Sequence, residues 1–505
     1  MTLTLTLTSL TLTLTSKVYV LHQCGAGDAP AAASLPADAV NAPVFTVPVQ
    51  SWSTGSTTSL AFMELLGLLN KAAVIDPSFA SSSCLLKLSA PECGVVDGVA
   101  NDYGAGWTTA ISDSSSTLHL EGGTSLSIDV DFAATSDPGV LARAEWIKYI
   151  AAFFNLEPHA NRVFAEIKAE FETVKARTAD AVAGGVAAPK VLWVTAATTG
   201  QWGGPASIST ASYKMDFVNA AGGVTPSAAD LAVHCTADLG TSAMSAGDIA
   251  SGYTNKFTCT DAGLKAALAG IDVVIDENFD SDNTYTHDMF MTKLNFSSAE
   301  TAAVYPFLNN NVLRTDRLKV QSNVAGYATF GTAWFEDAIP RADIVVDDLA
   351  SYLHPTQAPS GYVPRFFRNI AAGETVTLAT AAECDDPYAT CTGETAPPKP
   401  PMELNSCVFS SCVVAKLDPF ELDEHGCLKN FDPTADYFSP EHRAMLTSTG
   451  SVPATVTFAT DFSIEYFHTF KILRHLSTQK VSNPNPNPNP NPNPNPNPNP
   501  NLTQP

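Results

Sequence analysis

The chain has 505 residues, 45% hydrophobic and 15% charged, with 27 Lys and Arg against 51 Asp and Glu for a net charge of −24. That length supports two or more domains with well-buried cores, and the low charge fits a surface rich in Ser, Thr, Asn and Gly. The acidic balance argues against nucleic acid and against an anionic membrane face, both of which need clustered cations; it suits a secreted, soluble protein or the capture of cationic or metal-bearing ligands.

Residues 1–16 alternate Thr and Leu, a low-complexity run with neither the basic start nor the continuous apolar core of a secretory signal. KVYVLHQC (17–24) and 44–49 are β-branched and apolar and predict strands. A polar loop, SWSTGSTT (51–58), follows. LAFMELLGLLNKA (60–72) then shows a helical period, with Thr58 or Ser59 available as cap. Residues 84–132 are poor in helix signals, although LSIDVDF (126–132) alternates like a strand.

Asp137-Pro138 opens a helix to about Asn155, and Pro158 restarts the pattern. Val163, Phe164, Ile167, Phe171 and Val174 form one apolar stripe, closed by Gly184-Gly185. KVLWVT (190–195) is a buried strand, and a Gly-rich loop (198–207) carries Trp202. Helices are expected at 213–221, 262–268, 299–305 and 349–353, a helical turn at 334–339, and strands at 271–275 and 343–346. Strand, helix and strand at this spacing predict a parallel sheet flanked by helices.

Ten Cys occur without a CxxC pair, five of them in the last part of the chain among Pro, Asp and Thr. This reads as a disulfide-stapled protein of an oxidising compartment, with Cys84–Cys93 and Cys235–Cys259 as neighbouring pairs. Asn295-Phe296-Ser297 fits a glycosylation acceptor. Residues 452–473 read as two strands, and the Asn-Pro repeat from Asn483 cannot carry a core. No apolar run is long enough to span a membrane. Cysteine usage without a leader leads to the expectation that the native protein extends further upstream.

VPVQSWSTGSTTSLAFMELLG, RAEWIKYIAAFFNLEPHANRVFAEIKAEF, PKVLWVT, YKMDFVNAAGG, GIDVVIDENF and WFEDAIPRADIVVDDLASYLHP stand in an order and spacing that resembles the helical-backbone (class III) periplasmic binding protein family. The resemblance covers about residues 17–370 and is closer to a divergent, eukaryote-like extracellular version. It implies an α/β fold of two lobes with mainly parallel sheets, joined by a long helical spine. The division expected is 1–16 low complexity, 17–157 first lobe, 158–185 linking helix and 186–370 second lobe. A Cys/Pro-rich linker (371–430), the truncated start of a second module (431–480) and a disordered tail (481–505) complete it. The implied function is capture of a bulky metal chelate, an iron-siderophore or cobalamin-like ligand, for uptake through an ABC-type permease or surface receptor. The chain would act outside the cell or on its surface as a monomer, without nucleic acid or membrane insertion. The alternative is an extracellular structural or adhesive protein that keeps the fold without a ligand.

In such a fold the ligand sits between lobes, at the carboxyl ends of strands. That selects Trp52, Ser53 and Thr54, then Tyr103 and Trp107, in the first lobe, and Trp202, Tyr213, Glu277 and Asn278 in the second. Each has a structural alternative: a core Trp with capping hydroxyls, packed loop aromatics, or an N-cap cluster. The ten His are scattered without metal spacing, which favours a chelated ligand over a bare metal. No G-x-S-x-G, H-E-x-x-H or phosphate-loop pattern marks an enzyme.

Overall fold

A computed structural model describes residues 17–24, 29–37, 39–90, 96–99, 105–121, 124–197, 205–237, 256–280, 283–297, 299–300, 305–322, 330–384, 404–405, 414–415 and 470–475. Strand β1 (Lys17–Gln23) pairs in parallel with β2 (Val44–Val47). The chain then enters β3 (Trp52–Thr54), α1 (Leu60–Leu65), β4 (Ala72–Ile75), α2 (Ser83–Leu88), β5 (Asp97–Gly98), α3 (Ala105–Asp113), β6 (His119–Leu120) and β7 (Asp129–Val130). These strands form an all-parallel sheet in the order β5-β4-β3-β6-β7.

Two expectations are corrected in this lobe. The stretch expected as a polar loop contains the central strand β3, buried along its whole length because a parallel sheet is covered on both faces. The long helix expected from Leu60 ends at Leu65, since Gly67 takes the left-handed conformation (φ 69°) and Leu68 N–H donates back to the Met63 carbonyl at 2.8 Å. The cap is also one turn earlier than expected: Ser56 Oγ accepts from Thr58 N–H. Residues 84–132 hold α2 and α3, so Trp107 lies on a helix rather than in a loop.

Helices α4 (Val140–Ala152) and α5 (Glu157–Ala183) follow, with Pro158 in the first turn of α5 as the sequence implies. Phe164, Ile167, Phe171, Val174 and Thr178 are the buried stripe of α5, which packs on α4. Helix α4 is buried all round and carries an internal Lys148–Glu145 ion pair at 2.7 Å.

The second lobe runs through β8 (Val191–Thr195), β9 (Ala206–Ser209), α6 (Ser212–Ala220), α7 (Ala228–Ala232), β10 (Thr236–Ala237), β11 (Lys256–Cys259), α8 (Asp261–Ala267) and β12 (Val273–Asp276). It continues through α9 (His287–Lys293), β13 (Val312–Arg314), β14 (Leu318–Gln321), β15 (Phe330–Thr332), α10 (Ala342–Leu353), β16 (Arg368–Asn369) and β17 (Thr377–Ala379). Its main sheet has the order β10-β11-β9-β8-β12-β13-β16, with β8, β12 and β13 parallel and the outer pairings antiparallel. Side chains alternate with period two. Val191, Trp193, Val273, Ile275 and Leu313 join the core shared with α4, α5 and the first lobe. Leu192, Val194, Val274 and Val312 face the opposite core.

The segment expected as a strand (343–346) and a separate helix is one helix, α10, because Ala342, Val345, Val346, Leu349, Ala350 and Leu353 are buried at helical spacing. It packs along α5. A small sheet, β15-β14-β17, sits at the junction between the lobes. Cys84 on α2 bonds Cys384, just beyond β17, and so ties the two lobes covalently; this replaces the expected Cys84–Cys93 pair. Cys235–Cys259 is present as expected. Short strands β18 (Leu404–Asn405) and β19 (Val414–Ala415) pair with each other, and β20 (Phe470–His475) adds in parallel to β1. The remainder of the expected second module and the Asn-Pro tail lie outside the described residues.

The fold is therefore α/β: two main sheets, each with a parallel centre and flanking helices, joined through α4 and α5.

Candidate functional site

The carboxyl ends of the parallel strands are where an open α/β sheet exposes loops rather than strand edges. Three contacts show that those ends converge here. Ser322 Oγ, just past β14, donates to the Pro77 carbonyl after β4 at 3.2 Å. Ser81 N–H donates to Glu336 Oε2 at 2.7 Å. Gly331 on β15 lies so close to the Ala80 carbonyl that a Cβ there would be 2.2 Å from its oxygen. The loop after β4 thus rests on the β14–β15 hairpin of the second lobe.

The same hairpin holds the loop after β12. Lys319 of β14, wholly buried, donates to the Asp280 carbonyl at 2.6 Å and to its carboxylate at 3.0 Å. The two loops share the pattern V-I-D-x-x-F: Val74-Ile75-Asp76-Pro77-Ser78-Phe79 and Val274-Ile275-Asp276-Glu277-Asn278-Phe279. They also share one turn. Asp76 Oδ1 accepts Ser78 N–H at 2.9 Å, and Asp276 Oδ1 accepts Asn278 N–H at 2.9 Å. Each turn ends in an exposed phenylalanine, Phe79 at 45% and Phe279 at 64%. A third, Phe335 at 51%, stands next to Glu336 in the turn after β15. Among the described residues these are the most exposed aromatic side chains, and all three belong to the junction.

The polar groups differ between the lobes. In the second lobe, Arg314 of β13 donates to Asp276 Oδ2 at 2.5 Å, to Asp316 at 2.9 Å and to the Asn278 carbonyl at 2.7 Å. Lys214 pairs with Glu277 and lies 5.3 Å over the Trp193 ring, on a buried aromatic bed that includes Trp334 and Phe367. In the first lobe, Glu121 follows β6 with φ 109°, an uncommon conformation for a residue with a side chain. Burial, and next the charge of Asp76, raise its carboxyl to about 8, against a hydrogen bond from Gly55.

The expected site residues fall into three groups. Trp52, Ser53 and Thr54 are a correction: they are core. Trp52 is fully buried, with its indole N–H donating to the Leu68 carbonyl at 2.8 Å. Ser53 Oγ bonds His119 Nδ1 at 3.0 Å and accepts from Ser116 at 2.9 Å. Burial holds the His119 imidazole below its ordinary pKa, so it stays neutral. Thr54 Oγ1 accepts from Ser59 at 3.2 Å. Trp107 is also buried, edge-on to His119. Tyr213 is half-buried, its ring carrying Arg143 at 3.5 Å, and packs against Phe217. Glu277 and Asn278 do lie at the junction, but Glu277 is already paired with Lys214. Tyr103 and Trp202 lie outside the described residues.

A recess of about 400 Å³ opens at the carboxyl edge of the larger sheet, lined by Ala197, Pro205, His234, Cys235, Thr258 and Asp261 among others. Among the described residues no group of three or more His, Cys, Asp or Glu could hold a metal ion. No described helix is long and apolar enough to cross a membrane.

No family model matches the chain, and no curated protein matches it. Its fold is similar to that of solved periplasmic binding proteins. With CeuE of Helicobacter pylori, solved with Ni(II) bound, identity is 11% and the TM-score 0.39, over 62% of this chain and 86% of that one. With a periplasmic heme binding protein of Pseudomonas aeruginosa, identity is 14% and the TM-score 0.39, over 66% and 99%. With the periplasmic heme binding protein HutB of Vibrio cholerae, identity is 12% and the TM-score 0.38, over 59% and 97%. At such scores the functional reading rests on this chain's own residues.

Sequence reasoning from tryptophans misses Phe79, Phe279 and Phe335. The available signal is the repeated V-I-D-x-x-F, which puts a large apolar side chain just beyond a strand end where a turn needs none.

Proposed function

We propose that this chain is a non-catalytic binding protein that holds a bulky ligand at the junction of its two lobes, outside the cell, for hand-over to an uptake system. The observation that carries this reading is that Phe79, Phe279 and Phe335 are each exposed, in turns whose neighbouring residues all contact the β14–β15 segment. Three half-exposed phenylalanines leave in water apolar area whose burial is worth on the order of 1 kcal/mol each, a gain open to a ligand that covers them. A chelate with an apolar periphery, of the ferric siderophore or corrin kind, suits a surface of rings with few polar groups. Trp334 packs close to Trp193 just behind Phe335, so intrinsic fluorescence is a suitable reporter.

The test is titration of fluorescence with ferric hydroxamates, a ferric catecholate, haem and cobalamin. Saturable quenching by one of them, weakened at least tenfold in Phe79→Ala/Phe279→Ala, is expected. No response from any of them would remove the reading.

A second reading, a structural or adhesive protein without ligand, is favoured by two observations. Trp52 is core, and Cys84–Cys384 pins the lobes together. Unchanged fluorescence together with retained binding to a cell-surface or matrix preparation would support it.

A further inference from the structure

Asn295-Phe296-Ser297 is one of two Asn-x-Ser/Thr sequences in the chain; the other, Asn501-Leu502-Thr503, lies outside the described residues. The pattern alone does not decide whether the Asn295 amide has room for a bulky substituent. The fold does. Helix α9 stops at Lys293, and Asn295 takes the left-handed conformation (φ 53°) common at helix ends, its N–H donating to the Thr292 carbonyl at 3.1 Å. The chain then alternates out, in and out. Asn295 is exposed, Phe296 turns inward onto Tyr305 with 4.8 Å between ring centres, and Ser297 is exposed again.

The contacts of the two polar residues are compatible with a substituent on the amide. Asn295 Nδ2 donates at 3.4 Å to the carboxylate of Asp261, a long contact between two exposed groups. An amide nitrogen that gains one substituent keeps one N–H, so this contact survives. Ser297 caps the next turn: its Oγ donates to Glu300 Oε2 at 2.8 Å and accepts the Glu300 N–H at 3.2 Å.

The position within the lobe is also open. Helices α8 and α9 cover one face of the larger sheet, where Leu264, Phe290 and Leu294 join Leu192, Val194 and Val274 in one core. Helices α4, α5 and α10 pack against the opposite face. A group on Asn295 therefore leaves from the outer side of the second lobe, clear of the helices that join the lobes. A separate observation concerns the compartment. Cys84–Cys384 and Cys235–Cys259 are formed, and such bonds persist where the surroundings are oxidising, as along the secretory route.

We propose that Asn295 carries an N-linked glycan, added as the chain enters that compartment. This goes beyond the binding reading and does not rest on it. The donor is an oligosaccharide joined through its C1 to a lipid diphosphate. Asn295 Nδ2 bonds to C1, the C1–O bond breaks with its electron pair leaving on the diphosphate, and the amide gives up one proton. The acceptor pattern requires a hydroxyl two residues beyond the amide. In the folded turn that hydroxyl is held by Glu300, so transfer precedes closure of the turn.

The experiment translates the full chain behind a cleavable secretory leader in the presence of microsomes, with Asn501→Gln in every sample to silence the other acceptor. One endoglycosidase-sensitive increment, the mass of a single core oligosaccharide, is expected. Asn295→Gln and Ser297→Ala should each lose it, whereas Ser297→Thr, which keeps both hydroxyl and cap, should retain it. Endoglycosidase should release the glycan from the folded protein without denaturant, because the linkage faces solvent. No increment in a chain whose leader has been removed, or one that persists in Asn295→Gln, overturns the assignment. Release only after denaturation overturns the outward placement. A chain that never enters the microsomes overturns the compartment on which the assignment rests.

Discussion

The main-chain N–H of Ser81 and the buried carboxylate of Glu336 meet at 2.7 Å, although 255 residues separate them. This hydrogen bond crosses from one lobe to the other beside a cluster of acids. Glu64 of α1 approaches from the first lobe, and Asp337, paired with Arg365, lies next to Glu336 in the second.

Burial first, then the charges of Asp337 and Glu64, push the Glu336 carboxyl well above its ordinary range; burial and Asp337 push Glu64 up to about 7. A carboxyl whose folded pKa exceeds its unfolded value stabilises the fold when protonated. That contribution is full below the unfolded value of 4.5 and is lost as pH rises through about 7 for Glu64. Thermal unfolding should therefore show stability falling between about pH 5 and pH 7, by on the order of 2 kcal/mol after partial solvent screening. Glu64→Gln, which mimics the protonated form, should flatten that slope. An unchanged slope would show that Glu64 is not desolvated at this junction.

Gly331 should be intolerant of even one methyl group. Its Cβ would meet the main-chain oxygen of Ala80 at 2.2 Å and that of Phe79 at 2.5 Å, and main chain cannot rotate away as a side chain can. Gly331→Ala must push the loop after β4 off the β14–β15 hairpin, at a cost of roughly 1–3 kcal/mol. Chemical denaturation measures that cost, and protease nicking within 76–82 should rise. A neutral substitution would mean that the lobes stand further apart at this point.

How much of this is legible in sequence follows from which interactions are local. The stripe Phe164, Ile167, Phe171, Val174 repeats with the helix itself, so α5 is readable from its own residues. Strand β3 is not. Trp52-Ser53-Thr54 carries two hydroxyls within a Ser/Thr-rich run and imitates a loop. Local partners, Ser56 and Ser59, serve Thr54, but the Ser53 hydroxyl is satisfied by Ser116 and His119, more than sixty residues away. Helix α10 misleads in the opposite way: Ile344-Val345-Val346 is β-branched, yet packing on α5 outweighs intrinsic preference. At the candidate site, Glu277 and Asn278 are legible as strand-end residues. The pairing of Glu277 with Lys214 depends on where α6 docks, and no local pattern encodes that.

The disulfide Cys84–Cys384 closes a loop with a sequence separation of 300. Replacing both cysteines with alanine removes this restraint on the unfolded chain and should cost about 2–5 kcal/mol. It should also weaken the anchoring of α2 to the turn beyond β17, since Cys84 lies within that helix. Melting temperature with and without reductant measures both: reduction should lower that of the native chain markedly and that of the double variant much less. Equal sensitivity would assign the stability to the other disulfides, Cys235–Cys259 and that of Cys24 among them.

Arg314 of β13 joins β12, the β13–β14 connection and the Phe279 turn through one planar group. It donates to Asp276 of β12, to Asp316 and to the Asn278 carbonyl, while Tyr285 lies 3.8 Å over its face. Arg368 of β16 grips the other side of Asp316 at 2.6 and 3.0 Å. Breaking such a network from one side leaves buried carboxylates without their counter-ion, so Arg314→Met should cost about 3–5 kcal/mol. Arg314→Lys keeps the charge but loses the fork. It should recover part of that stability while freeing the Asn278 carbonyl, and with it the position of Phe279. Denaturation curves measure the first effect. Ligand titration of the lysine variant measures the second, where a well-folded protein with weakened binding is expected. If that variant binds as the native chain does, the Phe279 turn is held by Asp280 and Lys319 alone.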